Sequence, residues 1–143
     1  MIIQQISVFV ENRPGTLAEV LAALNEHGIN IRAMSVADTA DFGILRFIVN
    51  QPERVEKLLR EAHFAVKTTP VLTMPLEDQP GGLLAQINKL SSAGVNIEYF
   101  YAFATAGAQQ ARIVLKVDDL KRAEALLGPE VAGGTSQDVD FYW

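Results

Sequence analysis

One phrase occurs twice in this chain of 143 residues. "ENRPGTLAEVLAALNEHGINI", Glu11–Ile31, returns as "EDQPGGLLAQINKLSSAGVNI", Glu77–Ile97, sixty-six residues later. Setting Glu11–Arg46 against Glu77–Arg112 needs no gap and gives eleven identities in 36 positions: Glu11, Pro14, Gly15, Leu17, Leu24, Gly28, Asn30, Ile31, Thr39, Ala40 and Arg46 in the first copy. A repeat of this kind is one folding unit written twice. It divides the chain into residues 1–70 and 71–143. A unit of about 70 residues buries too little surface to be comfortable alone, so the halves are expected to pack on one another.

Within each copy the hydrophobic period changes in a fixed order. Ile6, Val8 and Val10 alternate with Ser7 and Phe9, the period of a strand with one face directed inward. Pro14 suits the opening of a helix, and Leu17, Val20, Leu21 and Leu24 follow at the spacing of one buried helical face. Gly28 is a C-terminal glycine that ends the helix in the left-handed conformation. Leu83, Ile87, Leu90 and Gly94 repeat this in the second copy. Strand patterns return from Ile29 to Ala37 and from Gly43 to Val49, joined by the turn "DTADFG". A second helix is expected from Pro52 to Ala62, with Val55, Leu58, Leu59 and Ala62 on its stripe, and "FAVKTT" closes the unit as a strand. The second half is expected to begin at Val71 with "VLTMPL", only Pro70 intervening, and to close on "QDVDFYW". The order is β-α-β-β-α-β in each half. The expected fold class is α+β: two such units, each an antiparallel sheet with its helices on one face, and the two sheets packed side by side to satisfy their edges.

Seventeen acidic against twelve basic residues give a net charge of -5, and no run of Lys or Arg occurs, so nothing attracts a nucleic-acid backbone. No apolar segment has the length of a membrane span, and the N-terminus lacks the pattern of a secretory signal, so a cytoplasmic protein is expected. The absence of cysteine excludes thiolate metal sites and cysteine nucleophiles.

The strand-to-helix turn "NRPG" carries the chemistry. A helix start presents unpaired N–H groups and the positive end of the helix dipole, both suited to a carboxylate. Gly15 and Gly81 allow close approach to the backbone, while the Asn12 amide and the Asp78 carboxylate beside them are placed to hold an α-ammonium group. Asn30 and Asn96, after the first helix of each half, add a second polar handle. Pro14, Gly15 and Gly28 read first as structural punctuation, because a duplicated sequence keeps its turns for folding alone. A pair of polar residues flanking one helix end is more than folding requires, so Asn12, Asp78, Asn30 and Asn96 read as ligand contacts.

These residues resemble the signature of the ACT domain, the regulatory module attached to amino-acid biosynthetic enzymes, and the resemblance covers essentially the whole chain as a tandem pair. It implies two ferredoxin-like ACT units with a free amino acid bound where the first turn of one unit meets strand two of its partner. Carried onto this sequence, one site combines Asn12, Gly15, Thr16 and Leu17 with Asn96 and Ile97. The other combines Asp78, Gly81, Gly82 and Leu83 with Asn30 and Ile31. The resemblance further implies a sensor without catalytic activity, cofactor or metal, which associates at least as a dimer and signals through an enzyme of amino-acid metabolism or another partner.

The alternative on the same fold is a small enzyme of the acylphosphatase type. That chemistry needs a phosphate-cradling loop with an arginine; Arg13 is the sole candidate, and its counterpart is Gln79. An RNA-binding sheet is disfavoured because "GILRFIVN" lacks exposed aromatic positions. Arg46 and Arg112 are expected on a solvated face, Tyr99, Tyr101 and Phe103 on the core face with Ile97, and His27 and His63 at helix ends rather than on a metal.

Overall fold

The computed structural model describes residues 1–39, 41–104 and 110–128. The described elements run β1 (Ile2–Glu11), α1 (Thr16–Glu26), β2 (Ala33–Asp38), β3 (Phe42–Ile48), α2 (Pro52–Glu61), β4 (Ala65–Glu77), α3 (Gly82–Ser92), β5 (Ile97–Ala104), β6 (Gln110–Val117) and α4 (Leu120–Leu127). The order expected from the sequence is present as far as α4, and the expected closing strand Gln137–Trp143 lies outside the described residues.

Two expectations are corrected. The described strands form one six-stranded sheet, in the order β2-β3-β1-β4-β6-β5, and not two sheets set side by side. "FAVKTT" and "VLTMPL" are a single strand of thirteen residues, β4, which continues through Pro70. Proline's fixed φ is compatible with an extended chain, and its missing N–H matters only where the ladder needs a donor, so Pro70 does not end the strand. The described residues fall into two compact units, one of Gln4–Thr69 and one of Met1–Ile3 with the residues from Pro70 on, so the division passes inside β1 and β4.

In the unit of Gln4–Thr69, β3 pairs antiparallel with both β1 and β2. Alternate residues of the strands, Ile6, Val8, Leu45 and Phe47, meet Val20 and Leu24 of α1 and Val55 and Leu59 of α2 in one core. Each of these fully buried aliphatic or aromatic side chains contributes about 1.5–3 kcal/mol relative to exposure. The buried face of α1 is Thr16, Val20 and Leu24. Leu17, expected on that face, remains 37% exposed in the first turn of the helix. α2 is tied to β4 by Glu56, whose carboxylate accepts from the Thr68 hydroxyl and from Arg60 Nε and Nη2 at 3.0 and 2.8 Å. The Thr68 hydroxyl first, and then Arg60, hold the Glu56 carboxyl below its ordinary range.

In the second unit β6 pairs antiparallel with β4 and β5, and Leu72, Met74, Leu90, Val95, Ile113, Leu115 and Val117 gather with Ala123 of α4. Ile97, Tyr99 and Tyr101 are half-buried while Phe100 between them is exposed, as the alternation predicts; the Phe103 side chain lies outside the description. Arg46 and Arg112 are not solvated as expected: both are half-buried and engaged, because their pleat faces carry buried neighbours such as Ile48 and Val114. Among the described residues no helix is long and apolar enough to cross a membrane.

Candidate functional site

Arg13-Pro14-Gly15-Thr16 makes the passage from β1 to α1, and α1 starts at Thr16, two residues later than a helix opened by Pro14. Gly15 has φ 91° and ψ -17°, and Gly81 has φ 84° and ψ -8°. These are the angles of the third residue of a type II turn, with proline at the second, so Pro-Gly builds a turn that delivers the chain into the helix. A side chain at Gly15 or Gly81 has open space around it, but the positive φ strains any residue that carries one.

Among the described residues neither α1 nor α3 has a side-chain N-cap. By contrast, Asp119 caps α4 by accepting from the Arg122 N–H at 3.1 Å. The first-turn N–H groups of α1 and α3 therefore lack the side-chain acceptor that α4 has, and a carboxylate is a suitable substitute. The side chains of Asn12 and Asp78 are exposed and make no hydrogen bond among the described residues.

The two turns differ in how they close. In the first, the buried Thr16 hydroxyl reaches the Glu11 carbonyl at 2.8 Å and the Arg13 carbonyl at 3.1 Å. The hydroxyl thus takes the carbonyl that a closed type II turn would offer to the backbone N–H of Thr16. In the second, that backbone bond is made: the Gly82 N–H donates to the Gln79 carbonyl at 3.1 Å. The Glu77 carbonyl oxygen sits 2.6 Å from where a Cβ on Gly82 would be. The first turn is also pinned from outside, by Asn12 N–H to the Asp41 carbonyl at 3.1 Å and by Arg13 between Glu11 at 2.9 Å and Glu19 at 3.7 Å. With two carboxylates on it, Arg13 is not arranged as the arginine of an acylphosphatase loop.

The sequence reading names Thr16 as a ligand contact but not the brace its hydroxyl puts on the turn, and it does not find the Asp41 carbonyl. The first had a signal, since Thr16 against Gly82 is a difference inside an otherwise repeated turn; a backbone carbonyl in a hairpin leaves none.

Asn30 does not meet Asn12 within its own unit. Glu11 pairs with Phe42 and Ala33 with Ile48, so Asn12 and Asn30 flank opposite ends of β3, about 20 Å apart at the rise of a strand. Likewise Glu77 pairs with Gln110 and Ile97 with Val117, which places Asp78 and Asn96 at opposite ends of β6. The Asn30 and Asn96 side chains are exposed and without a hydrogen bond among the described residues, while Ile31 and Ile97 are half-buried. Asn96 is fixed through its backbone, its N–H donating to Asp118 Oδ1 at 2.9 Å and its carbonyl accepting from the Asp118 N–H at 3.1 Å. Leu83 is half-buried. Elsewhere, His27 Nδ1 bonds the Ala23 carbonyl at 3.0 Å, and His63 holds φ 67° where α2 ends. Among the described residues no three His, Asp or Glu side chains stand close enough to hold a metal ion.

Comparison with known proteins agrees with the fold. A crystal structure of a protein from Bacteroides thetaiotaomicron is 38% identical, with a TM-score of 0.84 over 89% of this chain and 87% of that one. The ligand-free regulatory subunit of aspartate kinase from Thermus thermophilus is 21% identical, with a TM-score of 0.61 over 89% of this chain and 93% of that one. The corresponding subunit from Thermus flavus is 19% identical, also at 0.61, over 89% and 91%. At those identities the two Thermus subunits share the fold. No curated protein matches the sequence. Residues 1–129 match the ACT domain pair, so the chain belongs to that family.

Proposed function

We propose that this protein is an amino-acid-binding sensor that acts by changing its association with a partner, and that it has no catalytic activity of its own. The observation that carries the reading is the repeated strand-to-helix turn, in which a left-handed glycine leads into a helix with no side-chain cap beside an unengaged polar residue. At the first turn an α-carboxylate supplies the acceptor those N–H groups lack, and the oxygen of the neighbouring Asn12 amide receives the α-ammonium. In the first turn the contacts are Asn12, Gly15, Thr16 and Leu17. The repeated turn at Asp78, Gly81, Gly82 and Leu83 is the same element in outline. Neither turn meets the asparagine of its own unit, and Asn30 with Ile31 and Asn96 with Ile97 are retained as the strand-two contacts that the family resemblance implies.

The similarity to regulatory subunits of aspartate kinase supports a partner among enzymes of amino-acid metabolism, and association at least as a dimer is part of the same proposal. Binding changes output only through a difference in affinity between two states of that assembly. A thermal melt of the full chain with each of the twenty common amino acids tests the reading. A ligand at a hundredfold its dissociation constant stabilises by about 2.7 kcal/mol, which raises Tm by roughly 5–10 °C. No shift with any of the twenty at millimolar concentration removes the sensor.

A further inference from the structure

We infer that the two turns have diverged in use: the second has been closed into a folding element, and the chain takes one amino acid, at the first turn, rather than two. The inference rests on the sensor reading above and concerns what the repeat has become.

Three differences between the copies point the same way. The first is hydrogen bonding. At the second turn the leading N–H of α3 is spent on the Gln79 carbonyl, whereas at the first the Thr16 hydroxyl holds the equivalent Arg13 carbonyl. The Thr16 N–H itself makes no hydrogen bond among the described residues. Thr16 is thus a positioning residue, whose side chain braces the turn and spares a backbone donor.

The second is space. The Glu77 carbonyl oxygen lies against Gly82, 2.6 Å from the ideal Cβ position, so the second turn has contracted into the room that a side chain occupies in the first. The third is charge. The first turn sets Arg13 between Glu11 and Glu19 and leaves a neutral amide, Asn12, at its mouth. The second replaces the arginine by Gln79, which bonds Glu77 Oε2, and places a carboxylate, Asp78, at the mouth. Two carboxylates and no cation repel the α-carboxylate that the helix start attracts.

Titration calorimetry of the full chain with the twenty common amino acids, together with amide exchange, decides the matter. One amino acid per chain is expected, bound about tenfold or more weakly by Asn12→Ala and by Thr16→Val, and within about twofold of wild type by Asp78→Ala. The exposed Asn12 keeps the test readable if Thr16→Val fails to fold. The Gly82 amide is expected to exchange more slowly than the Thr16 amide, a readout independent of any ligand. Two amino acids per chain, or one lost with Asp78→Ala and kept with Asn12→Ala, overturns the inference and leaves the sensor intact. A Thr16 amide slower than that of Gly82 overturns it whatever binds, and no binding by any of the twenty overturns both.

Discussion

Gly82→Ala perturbs the second turn at its tightest point. In the middle of a helix the exchange of glycine for alanine normally stabilises by about 0.5–1 kcal/mol, because the unfolded chain loses freedom. At Gly82 the new Cβ meets the Glu77 carbonyl oxygen at 2.6 Å, where it needs more than about 3.2 Å. The obstacle is backbone and cannot rotate away, so the turn must open by roughly 0.6 Å or more. Overpacking of this kind costs about 1–3 kcal/mol. Opening the turn also stretches the 3.1 Å bond from the Gly82 N–H to the Gln79 carbonyl, worth about 1 kcal/mol. The clash wins over the entropy gain, and the net expectation is a loss of about 1–2 kcal/mol, seen as a Tm about 3–8 °C lower in a thermal melt of the full chain. A Tm equal to or above wild type refutes the contraction of this turn.

Three other variants test separate parts of the account. Thr73 is fully buried and its hydroxyl has no hydrogen-bond partner among the described residues, so Thr73→Val, of nearly the same shape, should stabilise by about 1 kcal/mol in urea denaturation; a loss contradicts the assignment. His63 holds φ 67° in an otherwise ordinary helix ending, with Phe64 N–H to the Leu59 carbonyl at 3.0 Å. His63→Gly should therefore gain a few tenths to about 1 kcal/mol, and a lower Tm counts against the strain. The Glu56 carboxyl is held below its ordinary range, chiefly by the Thr68 hydroxyl. A lowered carboxyl stabilises the fold above its unfolded pKa, and that contribution is lost as pH falls through the folded value. Thr68→Val should thus be less stable than wild type at neutral pH, with the gap narrowing below about pH 4.5; a gap that widens in acid is the wrong sign.

Much of the fold was legible because the repeat displays its punctuation twice. Gly28 and Gly94 end α1 and α3 with φ 66° and 75°, and Ile29 and Val95 then bond back to the Leu24 and Leu90 carbonyls at 3.0 Å each, so identical residues make identical helix ends. The helix start was misplaced because proline serves equally at the first position of a helix and the second of a type II turn; the glycine after it decides for the turn. The continuity of β4 was hidden by Pro70, read as a break where the extended chain tolerates it. The single sheet was not legible, since strand periodicity tells which face is buried and says nothing of which edge pairs with which. Of the candidate site, the residue types at the turns were visible, but the difference between an open and a closed turn lies in one hydroxyl, Thr16, and in a carbonyl oxygen that no sequence pattern records.

The central claim is that an amino acid's carboxylate sits on the start of α1. It is tested most directly by following the backbone amide resonances of residues 15–18 while adding the amino acid that raises Tm most. The account predicts that the Gly15, Thr16, Leu17 and Ala18 amides shift together and saturate with the affinity measured by calorimetry, as N–H groups do on gaining a charged acceptor. A ligand that raises Tm and leaves these four amides unmoved places the site elsewhere and contradicts the account.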